Sequence, residues 1–427
     1  MSGLPEGWVK TTLGNNIVDI AMGPFGSNLK VDSFIETGVP VIKGGNLSEN
    51  FVGGSFSFVS EEKATSLRRS VAHAGDIIVT HRGTLGQVSL VPTGEYERYV
   101  TSQSQLRFTP DKQKVDKNYL LYFLKSRIGQ YELLLNASQV GVPAIATPTK
   151  AMKEINLCLP PLPEQKAIAD MLSSFDEKIE LLREQNKTLE TLAQTIFKEW
   201  FVNFNYPDAT GEMVDSELGK IPKGWRTGKL GEFLKMKSGF AFKSKDFVES
   251  GSKKALKIKD LKGKGKVDIG NISSVDESST NSKRVQLFKL DAGDIVLAMS
   301  GNTTGKIGII PEHSHSFELY LNQRVGKFFF EDSEYKNFTY VFLMTGDFEK
   351  KILNMGYGSA QPNINPSQIE NIEIIIPDKI TFHSFNRLVE PTFEKMNNNT
   401  SQIQSLSKTR DTLLPRLMSG EVRIEAV

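Results

Sequence analysis

Residues 4–14 read LPEGWVKTTLG and residues 221–231 read IPKGWRTGKLG. The second stretch lies 217 residues after the first and repeats its proline, first glycine, tryptophan, leucine and last glycine. Two of the three tryptophans, Trp8 and Trp225, sit in this pair. The likeness extends downstream: GDIIVTHRGTLGQVSLVP from Gly75 answers GDIVLAMSGNTTGKIGIIP from Gly293, at an offset of 218. QSQLRF (103–108) answers QRVGKF (323–328), and an apolar stretch ending at Pro160 answers one ending at Pro377. Offsets that stay between 217 and 220 over half a chain mean one folding unit encoded twice. A length of 427 residues already favours more than one core.

Each copy reads as an α+β lobe. Short apolar runs bounded by glycine, at 76–80 and 294–299 and at 39–42 and 256–258, predict strands. Apolar residues at three- and four-residue spacing predict a helical stretch over 119–135 and another over 338–353. The lobes span 1–160 and 218–377, and the segment after each lobe is of another kind. Beyond the prolines at 160, 161 and 163, an apolar seam of period seven runs for about forty residues. One row is Leu172, Ile179, Asn186, Ala193 and Trp200; the other is Ile168, Phe175, Leu182, Leu189 and Ile196. Asn186 is the polar, register-setting member. The C-terminal segment repeats the design with more polar interruptions: Val389, Met396, Ile403, Arg410 and Leu417, beside Phe385, Thr392, Asn399, Leu406 and Leu413. A lone amphipathic helix would leave its stripe in water, so segments 161–217 and 378–427 are expected to pack on each other, antiparallel, as a coiled-coil spacer. The fold class is therefore two similar α+β domains separated by two long antiparallel helices, a pseudo-twofold rod.

Composition is ordinary for a globular protein, at 39% hydrophobic and 24% charged. No apolar run reaches the ~20 residues a membrane span needs. The N-terminal stretch lacks the basic head and apolar core of a secretory signal, and Cys158 is the only cysteine, so a cytoplasmic location is expected. Net charge is only +2, but it is unevenly placed: +2 over 1–160, −7 over 161–217, +6 over 218–377 and +1 over 378–427.

Two related lobes on a spacer suit a ligand that repeats along its own axis, and duplex DNA presents matching groove faces every ~34 Å. Seven lysines (253, 254, 257, 259, 262, 264 and 266) within fourteen residues face one acid, Asp260; they read either as a phosphate-neutralising run or as a solvated loop. Residue types that read base edges, Arg or Lys for guanine and Asn or Gln for adenine, recur at matching places in both lobes. In the first lobe the candidates are Ser27, Asn28, His81, Arg82, Thr84, Gln103, Gln105 and Arg107. In the second they are Lys257, Lys259, Ser300, Asn302, Thr303, Lys306, Asn322, Gln323, Arg324, Gln361 and Asn363.

These features, with SAQPNI at 359–364, PRLMSGEV near the C-terminus and above all LPPLPEQKAIADMLSSFDEKIE at 159–180, make the chain resemble the specificity subunits of type I restriction enzymes. The likeness runs from Leu4 to about Glu421. It implies two target recognition domains, each reading half of a bipartite double-stranded DNA site, and helices that dock two methyltransferase subunits. Restriction subunits are implied in the larger complex, with S-adenosylmethionine, ATP and magnesium in the partners and no cofactor in this chain. At VGVPAIATPTK (140–150) the first lobe departs from the second, and SAQPNI has no clear equal there.

Catalytic signatures are missing. GNTTGKI (301–307) has one residue too few between its glycines for a phosphate loop and Ile307 where a magnesium-binding hydroxyl belongs. Glu61, Glu62 and Lys63 have no Pro-Asp partner, and His313 and His315 beside Glu312 lack a further ligand pair. Cys158 lies in an apolar run and reads as a packed residue. A non-catalytic, DNA-reading subunit is expected; the alternative is a two-lobed adaptor that binds protein or glycan. Phe197, Trp200, Phe201 and Phe204 close the acidic helical segment, and are either a cap on the helix pair or a docking patch.

Overall fold

The computed structural model describes residues 4–47, 50–138, 141–270, 272–311, 317–332, 334–355 and 363–424. The chain forms two compact units, Met1–Ile179 with Ser405–Val427, and Glu180–Gln404. Two 40-residue helices, Leu162–Phe201 and Lys379–Met418, each give one part to either unit.

In the first unit an antiparallel sheet has the order Ile17–Met22, Gln105–Pro110, Ile77–Thr80, Val88–Leu90. A second sheet orders Ser57–Val59, Val39–Ile42, Tyr99–Thr101 and Val71–Ala72, with Val39–Ile42 parallel to Tyr99–Thr101. The strand that begins just after Trp8 pairs with the one ending at Leu159. In the second unit Lys235–Ser238, Val325–Phe329, Ile295–Ala298 and Ile307–Ile309 form the same four-stranded order. Lys253–Leu256 again runs parallel to its neighbour, Glu318–Leu321, and Arg226–Lys229 pairs with Glu373–Ile376. The sequence repeat is thus a repeat of strand order and direction.

Apolar positions that alternate along these strands meet helices. Ile77, Val79, Leu106 and Phe108 share a core with Tyr119 and Phe123, and Ile295, Leu297 and Phe328 with Phe338 and Phe348. The expected single helical stretch after the sheets is two helices in each unit: Lys117–Lys125 and Arg127–Leu134, then Glu334–Leu343 and Gly346–Met355. The break has a local cause. Ser126 is extended (φ −66°, ψ 162°) and its hydroxyl accepts from Gly129 N, so it ends one helix and caps the next. A Cβ on Gly129 would lie 1.9 Å from the Phe123 carbonyl oxygen, so only glycine permits this close turn. The strand expected at 256–258 is set earlier, at Lys253–Leu256, because Lys257 N donates to Asp260 Oδ2 and turns the chain into Ile258–Asp260, a short 3-10 helix.

The long helices pair antiparallel within each unit. In the first, Ile168 and Leu172 share a core with Leu417 and Met418. Arg410 binds Asp176 at 2.5 Å, and Arg423 binds the buried Glu164 at 2.8 Å. The Gln165 amide bridges the Asp116 N–H and the Pro160 carbonyl, which is what the PEQ triplet does for the fold. Gly420, at φ +73°, lets the chain turn against Pro5 and Trp8, which explains the glycine of PRLMSGEV. In the second unit Phe197 meets Phe385 at 5.9 Å between ring centroids.

The docking-patch alternative for the aromatic cluster is overturned. Phe197, Trp200 and Phe201 are buried against Trp225, Phe338 and Phe385, and half-buried Phe204 abuts the Trp225 ring. They belong to the second unit's own core.

Asn186 pairs as the heptad register implies: Asn399, fully buried, donates to its side-chain oxygen at 2.9 Å. The Asn399 side-chain oxygen has no partner among the described residues. An unpaired buried carbonyl costs stability while fixing the register of facing helices. Replacing both asparagines with leucine is expected to raise stability by about 1 kcal/mol, read as a higher thermal midpoint; a lower midpoint would mean that the pair is a net stabiliser.

Candidate nucleic-acid interface

Sheet register decides where the polar loops go. Thr80 pairs with Gln105, and Met22 with Leu106, in antiparallel ladders. The end of one strand therefore lies beside the start of the next, and the loops at 23–28, 81–87 and 102–104 leave the sheet at a single end. In the second unit Ala298 pairs with Val325 and Ser238 with Gly326, so the loops after Ser238, at 299–306 and at 322–324 also emerge together.

In the first unit Arg82, Thr84 and Gln103 line a cavity of about 400 Å³ with Lys43, Gln87 and Thr80, and Ser27 and Asn28 stand exposed on the adjoining 3-10 turn. His81, Gln105 and Arg107 lie deeper, and the structure gives them another task. Burial pushes the His81 imidazole below its usual range, and its Nε2 sits 3.1 Å from the Gln103 carbonyl oxygen. Gln105 is fully buried and is held through Ser102 and Thr80. Arg107 is spent on Asp19 at 2.7 Å and on the Arg69 carbonyl at 3.3 Å. Burial alone would raise the Asp19 carboxyl, but the hydrogen bond and charge of Arg107 outweigh it and hold it below the usual carboxylate range. His81 and Gln105 brace the turn from below, and Arg107 ties the sheet to the turn at Arg68–Ser70.

In the second unit Asn302, Gln323, Arg324, Lys259 and Asn363 are exposed. Asn322, Thr303, Lys306 and Lys257 are half-buried, and Ser300 is buried. The Ser300 and Thr303 hydroxyl oxygens have no partner among the described residues. Asn322 N bonds the Leu256 carbonyl, which brings Lys257 beside the 322–324 turn. Gln361, and Glu312, His313 and His315, fall outside the described residues.

The lysine run is only partly free. Lys253 is ion-paired with Glu318 at 2.8 Å, Lys254 lies over Phe317, and Lys262 pairs with Asp268. Lys257 sits 3.5 Å from the centre of the Phe247 ring, where burial and then the charge of Lys259 push its ammonium below the usual lysine range. Hydrogen bonds from Lys253, Tyr320 and Lys289 hold Glu318 at about 2, against the usual 4.5. A carboxyl depressed on folding lends stability above about pH 4.5 and loses it as pH falls towards about 2. Glu318→Gln is expected to flatten the fall of the second unit's thermal midpoint across that window; a fall as steep as that of the parent would refute the linkage.

Two pieces of the site escape a reading of sequence. The first is Lys43, which lies 4.3 Å over Phe34 and opens a 3-10 turn through Asn46 just as Lys257 lies over Phe247 and opens one through Asp260. Superposing the two copies would have found it from Lys257. The second is the missing counterpart of SAQPNI, which does exist. Ile145 N bonds the His81 carbonyl and Ile364 N the Met299 carbonyl, both at 2.9 Å. Arg82 bridges Ala144 as Ser300 bridges Asn363. Ala144 and Ile145 therefore take the place of Asn363 and Ile364, and Pro148 and Pro366 each open the next helix.

Comparison with known proteins agrees with this architecture. Residues 5–191 and 222–404 match the type I restriction modification DNA specificity domain, one match per copy, and the chain belongs to that family. The MjaIX specificity subunit of a type I restriction enzyme from Methanocaldococcus jannaschii is 31% identical over 371 residues, 85% of this chain and 81% of that one. The MjaVIII specificity subunit from the same organism is 29% identical over 360 residues, 83% and 81% of the two chains. Among solved structures, the S subunit of a type I restriction-modification system from M. genitalium shares the fold at a TM-score of 0.53, 20% identity and 96% coverage of each chain. No helix among the described residues is long and apolar enough to cross a membrane.

Proposed function

We propose that this chain is the sequence-reading subunit of a type I restriction and modification complex, and that it performs no chemistry of its own. The lobes 1–160 and 218–377 each bind one half of a bipartite duplex site. Two methyltransferase subunits dock on the helical segments 161–217 and 378–427, and restriction subunits join the larger assembly in the cytoplasm. S-adenosylmethionine, ATP and magnesium belong to those partners.

The observation that carries this reading is the pair of polar loop clusters at the same end of a duplicated sheet, in a chain of the DNA specificity family. Glycine-rich turns offer exposed Arg, Asn and Gln, the side chains that hydrogen-bond base edges in two places at once. In the first lobe the readers are Asn28, Arg82, Thr84 and Gln103, with Ser27 beside them. In the second they are Asn302, Lys306, Asn322, Gln323, Arg324 and Asn363, with Lys257 and Lys259 on the phosphates.

Exchanging residues 1–160 for the matching lobe of another family member tests it. The methylated sequence is expected to change in one half and keep the other. An unchanged methylated sequence with a lost complex would favour a protein-binding adaptor.

A further inference from the structure

Phe25 is 80% exposed on a loop that is otherwise fixed. Gly23 N donates to the Gln105 carbonyl at 2.8 Å, and Asn28 N to the Phe25 carbonyl at 2.8 Å. A Cβ on Gly23 would fall 1.8 Å from the Ser102 carbonyl oxygen, and one on Gly26 would fall 2.4 Å from the Gln103 side-chain oxygen. The loop thus lies directly on the turn that carries Gln103, and exposed Phe25 shares it with exposed Asn28, one residue from the Gly26 that lies against Gln103. The second unit keeps the support and changes the tip. Gly239 makes the same close approach, with a Cβ position 2.3 Å from the Leu321 carbonyl oxygen, but two residues later stands Ala241.

A ring held in water on a braced loop gains by meeting an apolar partner. Base edges in the major groove offer hydrogen-bond donors and acceptors and one apolar group, the C5-methyl of thymine. The flanking amides of Asn28 and Gln103 are of the type that pairs with adenine, and an A·T pair carries that methyl on its other base. We infer that Phe25 is a specificity-determining contact of the first unit and packs on a thymine methyl in the half-site this unit reads. The inference rests on the proposed DNA-reading function and adds a chemical requirement to it: one base of that half-site is chosen for its methyl group rather than for its hydrogen bonds.

Deoxyuridine differs from thymidine by that methyl alone, which gives a clean test. The full chain, assembled with its methyltransferase partners, is titrated against duplexes of its methylated sequence in which each thymine in turn is replaced by deoxyuridine. The wild type is expected to lose affinity roughly fourfold at one thymine, the loss for one methyl group left in water. Phe25→Ala is expected to bind the parent duplex more weakly and to show no further loss at that thymine. Phe25→Leu, still apolar, is expected to keep part of the discrimination. Phe25 is exposed, so an unchanged thermal midpoint for the alanine variant establishes that folding is intact. Wild type and Phe25→Ala losing affinity equally at every position, or a wild type indifferent to every replacement, would overturn the methyl contact and leave the DNA-reading function standing. A wild-type complex with no preference for any sequence would overturn that function and the contact with it.

Discussion

Replacing Gln323 and Arg324 together with alanine is expected to abolish recognition of one half-site while the complex still assembles. Both side chains are exposed on a turn whose backbone is fixed independently of them: Gln323 N bonds the Phe240 carbonyl and the Arg324 carbonyl accepts from Met299 N. Truncation therefore removes reading groups and leaves the fold alone. Each bidentate contact to a base is worth about 1–3 kcal/mol of discrimination, so the pair is expected to cost about thirtyfold to about twenty-thousandfold in affinity for the cognate sequence. Binding to unrelated DNA, carried by phosphate contacts, is expected to change little. Titrating cognate and unrelated duplexes with the assembled complex gives both numbers. Loss of assembly, or equal weakening on both duplexes, would contradict a reading role.

Phe197→Ala is expected to destabilise the isolated chain by about 3–5 kcal/mol, the usual cost of emptying a buried aromatic site. Phe197 is 4% exposed and touches the rings of Phe201, Phe338 and Phe385. The effect is expected in the absence of any partner, in the unfolding transition of the unit Glu180–Gln404. A variant of parental stability that fails to hold a methyltransferase subunit would instead restore the docking role.

How legible the fold was depended on how local its cause is. Glycines shared by the two copies mark backbone where a side chain would be crowded: Gly14 and Gly231 each pack a would-be Cβ 3.0 Å from a helical carbonyl, of Lys153 and of Glu370. Heptad rows were equally plain, because Leu172, Ile179, Ala193, Val389 and Leu417 are buried where the period of seven places them. Ser126 was harder, since a cap that splits one helical pattern into two leaves the apolar spacing almost unchanged. The role of the aromatics that end the first long helix stayed open because an aromatic run looks the same whether it meets a partner or its own sheet.

The site was legible in its positions and less so in its roles. Gln105 and Arg107 have the chemistry of base readers, and only the ladder register reveals that they stand inside the sheet. Asn28, Arg82 and Gln103 look no different in sequence, yet they reach the surface. Pro-Ala-Ile at 143–145 shares little with SAQPNI as text, because a backbone bridge needs extended geometry rather than particular side chains.

Mapping methylated adenines in host DNA, with the chain present and with its gene deleted, tests the central claim most directly. One bipartite sequence is expected to be methylated when the chain is present and to lose that mark when it is deleted. A methylation pattern identical in the two strains would contradict the account.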